Sequence, residues 1–229
     1  MTDKTDSKSV WWNQFWHNSK AIRYAKKNNS YDDVNNILRR LTTKDSNCVE
    51  LGSGSGTYAV ELNAMGRKCL ATDLSEAALS LIKVKGKHLY NIDVPTMNVD
   101  MFNMPFEDNT FDLIFTDGVI EHLDIQRALE EMHKKLKPCG WLVTKVPSGN
   151  LLYRLVYYIV SRIKDRPFEA WHSPEEWVVF AKKVGLKNVR LEKCGGILFG
   201  INKKLFGKTK LNKYIPNIGR IHYIFYGQK

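Results

Sequence analysis

The sequence predicts an α/β fold, a doubly wound and mostly parallel sheet of seven strands with helices on both faces. Two observations predict it. Short apolar runs alternate with stretches of helical periodicity along the chain, the pattern of a parallel sheet whose crossovers are helices. The first clear run, Cys48-Val49-Glu50-Leu51, passes directly into Gly52-Ser53-Gly54-Ser55-Gly56-Thr57. Glycines at that spacing let the backbone bend sharply at a strand-to-helix turn and come close to a ligand.

The elements follow in order. Val34, Ile37, Leu38 and Leu41 recur at helical spacing, so an amphipathic helix precedes the first strand. Strands are expected at Asn47–Leu51, Lys68–Thr72, Thr96–Val99, Phe111–Thr116 and Trp141–Val146, with helices between them. The helix carrying Ile125, Leu129, Met132 and Leu136 has Asp124 as N-cap, and Lys134, Lys135 and Lys137 near the negative end of its dipole. Ser173-Pro174-Glu175-Glu176 is a capping box with proline at the first helical position, opening a helix that runs through Val184 and stops at Gly185. Val189–Phe199 and Ile221–Tyr226 read as two closing strands.

Composition narrows the class. A chain of 229 residues suits one such unit with a sizeable core. The longest apolar stretch, Leu151 to Val160, is broken by Arg154 and falls far short of the roughly 20 residues that cross a bilayer. Met1 to Ser9 is polar, without the apolar centre of a signal peptide, so a cytoplasmic protein is expected. Cys48, Cys69, Cys139 and Cys194 lack C-x-x-C spacing, which suggests neither a zinc site nor a disulfide frame. Residues 1–147 carry no net charge, and residues 148–229 carry the whole formal +11. Such asymmetry marks a surface that meets something anionic, whether a lipid headgroup, a nucleic acid or an acidic substrate.

In sheets of this kind ligands bind outside the carboxyl ends of the strands, and that is where the motifs fall. The glycine turn is preceded by Glu50 and followed, about twenty residues on, by Asp73. A dinucleotide fingerprint would need a third glycine where this chain has Thr57. Downstream stand Asn98-Val99-Asp100-Met101, then Met104-Pro105-Phe106-Glu107-Asp108-Asn109-Thr110-Phe111-Asp112, then Asp117-Gly118-Val119-Ile120-Glu121-His122-Leu123, and Leu136-Lys137-Pro138-Cys139-Gly140-Trp141. This ordered set, over about residues 46–147, resembles the class I S-adenosylmethionine-dependent methyltransferases, closest to the branch that includes the ubiquinone and menaquinone enzymes.

The resemblance implies a Rossmann-like fold with an antiparallel last strand, and S-adenosylmethionine as cofactor. It implies a single methyltransferase domain over 1–229, with an N-terminal helical cap over 1–45, a cofactor-binding core over 46–147 and substrate-side elements over 148–229. Glu50, the loop residues Gly52, Ser53, Gly54 and Gly56, and Tyr58 would lie by the methionine part. Asp73, with Leu74 beside it, would accept hydrogen bonds from both ribose hydroxyls. Asp100 would face the adenine amino group with Met101 beside the ring, and Asp117 with Gly118 would line the floor.

Methyl transfer from a sulfonium is an in-line displacement, so the protein aligns the two reactants and removes a proton where the nucleophile carries one. His122 and His172 are the candidate bases, since imidazole titrates near neutrality, and Glu121 would orient His122 or cap the next helix. His17, in the aromatic opening segment Val10-Trp11-Trp12-Asn13-Gln14-Phe15-Trp16-His17, belongs to a stretch expected to fold over the cofactor. Some relatives carry E-x-x-E-H here and bind a divalent metal; Gly118 replaces the first acid, so no obligatory metal is expected.

The acceptor is expected to be small and lipophilic or anionic, with oxygen the favoured atom. Residues 150–164 form a basic, aromatic, amphipathic helix pattern with Leu151, Leu152, Leu155, Val156 and Ile159 on one stripe, and lysines alternate with apolar residues over 203–214. Such segments cover a substrate mouth or meet a membrane interface. A nucleic-acid methyltransferase is the alternative, because the same surface could follow phosphates and stack bases; a cofactor-binding partner protein without activity is the third reading.

Overall fold

In the computed structural model the described residues are 4–17, 21–23, 26–28, 30, 32–149, 151, 154, 155, 157, 158, 169–194 and 222–229. The basic segment 203–214, and Leu152, Val156, Ile159 and Arg162 of the amphipathic helix, lie outside them. In chain order the elements are α1 (Lys4–Trp16), α2 (Asp32–Leu41), β1 (Asn47–Leu51), α3 (Thr57–Ala64), β2 (Lys68–Asp73), α4 (Glu76–Tyr90), β3 (Thr96–Asn98), β4 (Phe111–Asp117), a 3-10 turn at Ile120–His122, α5 (Ile125–Lys135), β5 (Leu136–Pro147), α6 (Pro174–Lys183), β6 (Lys187–Cys194) and β7 (His222–Gln228). They build a seven-stranded sheet in the order β3-β2-β1-β4-β5-β7-β6. The pairs from β3 to β5 are parallel, and β7 runs antiparallel to β5 and β6.

Neighbouring residues of the central strands face opposite layers, as strand pleating requires. Cys48, Leu113 and Val143 join Val34, Leu38, Tyr58, Leu62 and Ile82 in one core. Val49, Ile114 and Leu142 join Leu129, Met132 and Trp177 in the other. Burial on both faces explains why these strands read as continuous apolar runs. Cys48 and Cys69 are buried free thiols, and desolvation pushes Cys48 up to about 12, so both pack as small hydrophobes.

The helix caps are where the side-chain chemistry puts them. Asp124 accepts from the Arg127 N–H at 3.1 Å, and Ser173 with Glu176 closes a reciprocal capping box. The limits of β2, β3 and β4 differ from expectation by one residue and the end of β7 by two, and the starts of β5 and β6 have also moved. β5 begins at Leu136 rather than Trp141, because Leu136 pairs with Phe111 across a register shift; Cys139, at φ 64°, carries the irregularity. Leu136 therefore leaves the helix that its spacing assigns it to. β6 is Lys187–Cys194, starting two residues before Val189, and residues 195–199 of the expected strand are outside the described part.

From β3 the chain returns to the far side of β1 to form β4. The reversal opens a crevice at the carboxyl ends of β1 and β4, the usual ligand position in an open α/β sheet.

Candidate active site

The glycine loop joins β1 to α3 at this crevice. Gly52, Gly54 and Gly56 all take positive φ, at 63°, 52° and 64°, a conformation that L-residues with a side chain adopt at a cost. Ser53 ties the loop to β2: its N–H donates to the Thr72 carbonyl at 2.8 Å, its hydroxyl donates to the Glu50 carbonyl at 2.8 Å, and the Thr72 N–H donates back to that hydroxyl at 3.0 Å. Asp73 closes β2 and is nearly buried. Its Oδ2 accepts from the Gly54 N–H at 2.8 Å and its Oδ1 from the Ser75 N–H at 2.9 Å. Burial raises its pKa against these backbone donors.

Glu50 points from β1 into the same region, buried, with Oε2 accepting from the Ala59 N–H at 2.8 Å in the first turn of α3. Desolvation is the main cause that pushes its carboxyl up to about 8; the Ala59 bond and the cation of Lys85 pull the other way. Tyr58 turns inward, its ring edge-on to Phe115 at 5.0 Å in the core. Leu74 is half exposed beside Asp73. Asp100 follows β3 and accepts from the Phe102 N–H at 2.9 Å, whereas the Met101 side chain is packed in the core with Val49 and Leu51. The structure thus brings Glu50, Asp73 and the loop together, with Asp100 at the end of the neighbouring strand.

The other half of the crevice belongs to β4 and β5. Asp117 accepts from the ammonium of Lys145 at 2.6 Å, the two residues standing in register on paired strands. Gly118, at φ 70°, turns the chain into the 3-10 segment that carries Glu121 and His122, both buried. The Ala170 N–H donates to the Glu121 carbonyl at 2.8 Å, which draws residues 169–172 to the same turn. Oε2 of Glu121 is buried without a hydrogen-bond partner among the described residues. Burial above all, then the charges of Glu169 and Asp117, pushes its carboxyl up to about 8, with Lys145 opposing.

That shift gives a pH prediction. A carboxyl raised from 4.5 to about 8 on folding contributes stability that is present below its unfolded value and is lost as pH rises through the folded one. Glu121→Gln removes the penalty, so its melting temperature should exceed that of the parent at pH 9, with the gap shrinking toward pH 5. Thermal melts at the two pH values check this; an unchanging gap would contradict it.

The candidate bases have different settings. The His122 ring lies edge-to-face with Trp12 of α1 at 5.5 Å. The His172 ring is held between Trp177 and Phe180 at 5.2 and 5.0 Å, with Nδ1 3.6 Å from Glu176. His17 bonds its own helix, Nδ1 lying 2.8 Å from the Asn13 carbonyl, and is exposed. The opening segment does cover the carboxyl edge. The Ser75 hydroxyl donates to Oδ1 of Asn13 at 2.8 Å, Trp12 meets His122, and a Cβ built on Gly54 would stand 2.5 Å from the Trp16 ring.

Sequence reasoning passed over Lys85, Lys145 and Asn13. The two lysines had a signal. Lys85 follows Ala78 and Ile82 at helical spacing on a buried face, and Lys145 alternates with Val143 in an otherwise apolar strand; a charge at an apolar position implies a partner. Asn13 had none.

A glycine loop bound to an acid at the end of β2, on a sheet with β7 inserted antiparallel, is the architecture of a class I methyltransferase. A family model described as "Methyltransferase domain" matches residues 49–144. A demethylmenaquinone methyltransferase from Staphylococcus haemolyticus is 28% identical over 228 residues, covering 87% of this chain and 90% of that protein. One from Staphylococcus epidermidis is 30% identical over 172 residues, covering 65% and 70%. Among solved structures, a SAM-dependent methyltransferase from Thermotoga maritima superposes with a TM-score of 0.66 at 19% identity, over 95% of this chain and 98% of that one. The chain belongs to the class I S-adenosylmethionine-dependent methyltransferases. Within them it stands near the menaquinone-type branch, and its reaction is a methyl transfer of the small-molecule kind.

Proposed function

We propose that the protein methylates a small lipophilic acceptor with a quinone-like ring, with Glu50, Asp73, Asp100 and the glycine loop holding the donor and the Glu121–His122 turn facing the acceptor. The observation that carries this reading is the meeting, at one sheet edge, of a backbone loop anchored to Asp73 with a buried carboxyl and imidazole on the next turn. The donor suits these residues. Glycines leave the loop without side chains where a nucleoside must come close, and Asp73 sets a carboxyl beside it. When bound, S-adenosylmethionine supplies an electrophilic methyl on a sulfonium.

The chain's own residues do the rest. Asp73 has a second lone pair on each oxygen for hydroxyl donors, beyond the bonds to Gly54 and Ser75. His122 is the base for an acidic acceptor hydroxyl, within reach of the carboxyl edge and shielded from bulk water by Trp12. Glu121 positions that turn. His172, wedged between two aromatic rings, shapes the acceptor wall. Oxygen is the favoured acceptor atom because this arrangement offers a base, and ring carbon is the competing outcome.

The lipophilic character of the acceptor is supported by the names of the menaquinone-type relatives and by the helical residues between 151 and 158. Leu151, Leu155 and Tyr158 are exposed there, one helical face at positions i, i+4 and i+7. Arg154 lies over the Trp171 ring at 5.5 Å. An apolar face with a basic residue beside it suits the interface of an anionic membrane, where a tailed acceptor would be found.

The test is an assay with S-adenosylmethionine and a prenylated hydroquinone, in vesicles of anionic or zwitterionic lipid, with RNA as the competing acceptor. A methylated quinol, formed faster with anionic vesicles and about 100-fold more slowly by His122→Ala at unchanged donor affinity, is the expected result. Methylated RNA and no methylated quinol would reject the proposal in favour of the nucleic-acid reading.

A further inference from the structure

Lys85 is the least expected residue of the fold. It lies in α4, its side chain directed inward on the face that carries Ala78, Leu81 and Ile82, and only 1% of its surface is exposed. Burying an ammonium is costly unless it is paired and hydrogen-bonded. Its Nζ donates to the hydroxyl of Thr57 at 2.8 Å and approaches that of Ser55 at 3.4 Å. Those two residues are the end of the glycine loop and the first residue of α3. Two carboxylates face it electrostatically, Glu50 from β1 and Glu61 from α3.

A lysine serving stability alone would be an inefficient choice here. Buried ion pairs are often matched or exceeded in stability by apolar residues of similar size, and Ile82, one turn earlier on the same helix, already packs against Gly56. The lysine adds direction. The loop is held on one side by Asp73 through Gly54 and on the other by Lys85 through Thr57. Glu50, which bonds the Ala59 N–H of the same helical turn, lies within the field of the ammonium. Removing that cation would free two hydroxyls to turn and would push the Glu50 carboxyl further toward its neutral form.

We propose that Lys85 is a positioning residue for the methyl donor: from beneath the glycine loop it fixes Ser55 and Thr57, so that the loop is already in its binding shape when the donor arrives. Preorganisation of this kind raises affinity by lowering the ordering cost of binding. The inference rests on the loop being the donor site.

The experiment is calorimetric titration of the full-length protein with S-adenosylmethionine and S-adenosylhomocysteine, together with thermal melts, for Lys85→Met, Thr57→Val and the double variant. Methionine keeps the length and most of the volume while removing the charge. The expected result is a Kd for the donor raised about tenfold and KM for the donor raised with kcat nearly kept, beside a lowered melting temperature, because removing one partner leaves the facing carboxyls and hydroxyls uncompensated. Combining the two changes should cost less than the product of the separate effects, because both break one hydrogen bond. Lys85→Met with a lowered melting temperature and an unchanged Kd would show a purely structural lysine and overturn the proposal. Should Lys85→Met fail to fold, Thr57→Val decides by itself: parental donor affinity would overturn the proposal and a raised Kd would uphold it. Asp73→Ala separates the two levels of the argument. If that variant also binds like the parent, the donor site is elsewhere; if it loses binding while Lys85→Met and Thr57→Val do not, only the role of Lys85 fails.

Discussion

Asp73→Ala should lose donor affinity by about 100-fold, roughly 2.7 kcal/mol, while the protein remains folded. The carboxylate has two tasks that one substitution removes together. It organises the turn, since its two oxygens accept from the N–H groups of Gly54 and Ser75 at 2.8 and 2.9 Å. It also offers the remaining lone pairs to ribose hydroxyls, the role proposed for it here, and charge-assisted bonds of that kind are about twice as strong as neutral ones. Asp73→Asn tests the charge alone. An amide places an NH2 where one backbone N–H now donates, so this variant should also bind weakly. Calorimetry with S-adenosylhomocysteine is the measurement, and wild-type affinity in Asp73→Ala would remove the ribose site from β2.

Gly56→Ala should lower the melting temperature by about 10 °C. At φ 64° the residue lies in the left-handed region, which costs an alanine roughly 1–2 kcal/mol. A Cβ there would also stand 2.6 Å from Cγ1 and 2.8 Å from Cγ2 of Ile82. Ile82 is fully buried and cannot swing into solvent, so overpacking adds about 1–3 kcal/mol. Near 3 kcal/mol in total corresponds to the stated shift in a protein of this size, at roughly 2–4 °C per kcal/mol. A thermal melt checks it, and Gly66→Ala is the control: it shares a positive φ of 74° but meets no atom within 4 Å, so its loss should be the smaller one.

The proposed donor half of the site is more legible in the sequence than the proposed acceptor half, for a physical reason. The glycine loop and the caps are local chemistry. The caps Ser75, Asp124 and Ser173 act on backbone within a few residues, and the glycines of positive φ and the acid that meets Gly54 from nineteen positions on stand in short motifs whose spacing is visible in one dimension. The acceptor half depends on side chains that meet across the sheet. Lys145 reaches Asp117 because β4 and β5 pair in a particular register. Ala170 reaches Glu121 across forty-nine positions of chain, and no local pattern announces such a contact.

Helical and strand periodicity determined the layers, because the apolar residues must be buried whatever the details, and alternate residues of β1, β4 and β5 do face the two cores. The composition of the glycine turn determined where the chain could bend. Only the tertiary structure decided that Tyr58 and Met101 turn into the core, that Asn13 and Trp12 are the residues by which α1 meets Ser75 and His122, and that Lys85 bonds Thr57 at the loop. A residue's type fixes what it can bond, but its partner and its solvent exposure depend on which elements the fold sets beside it. In this protein burial is what raises Glu50 and Glu121 and gives the two carboxyls chemistry that the same residues would lack in water.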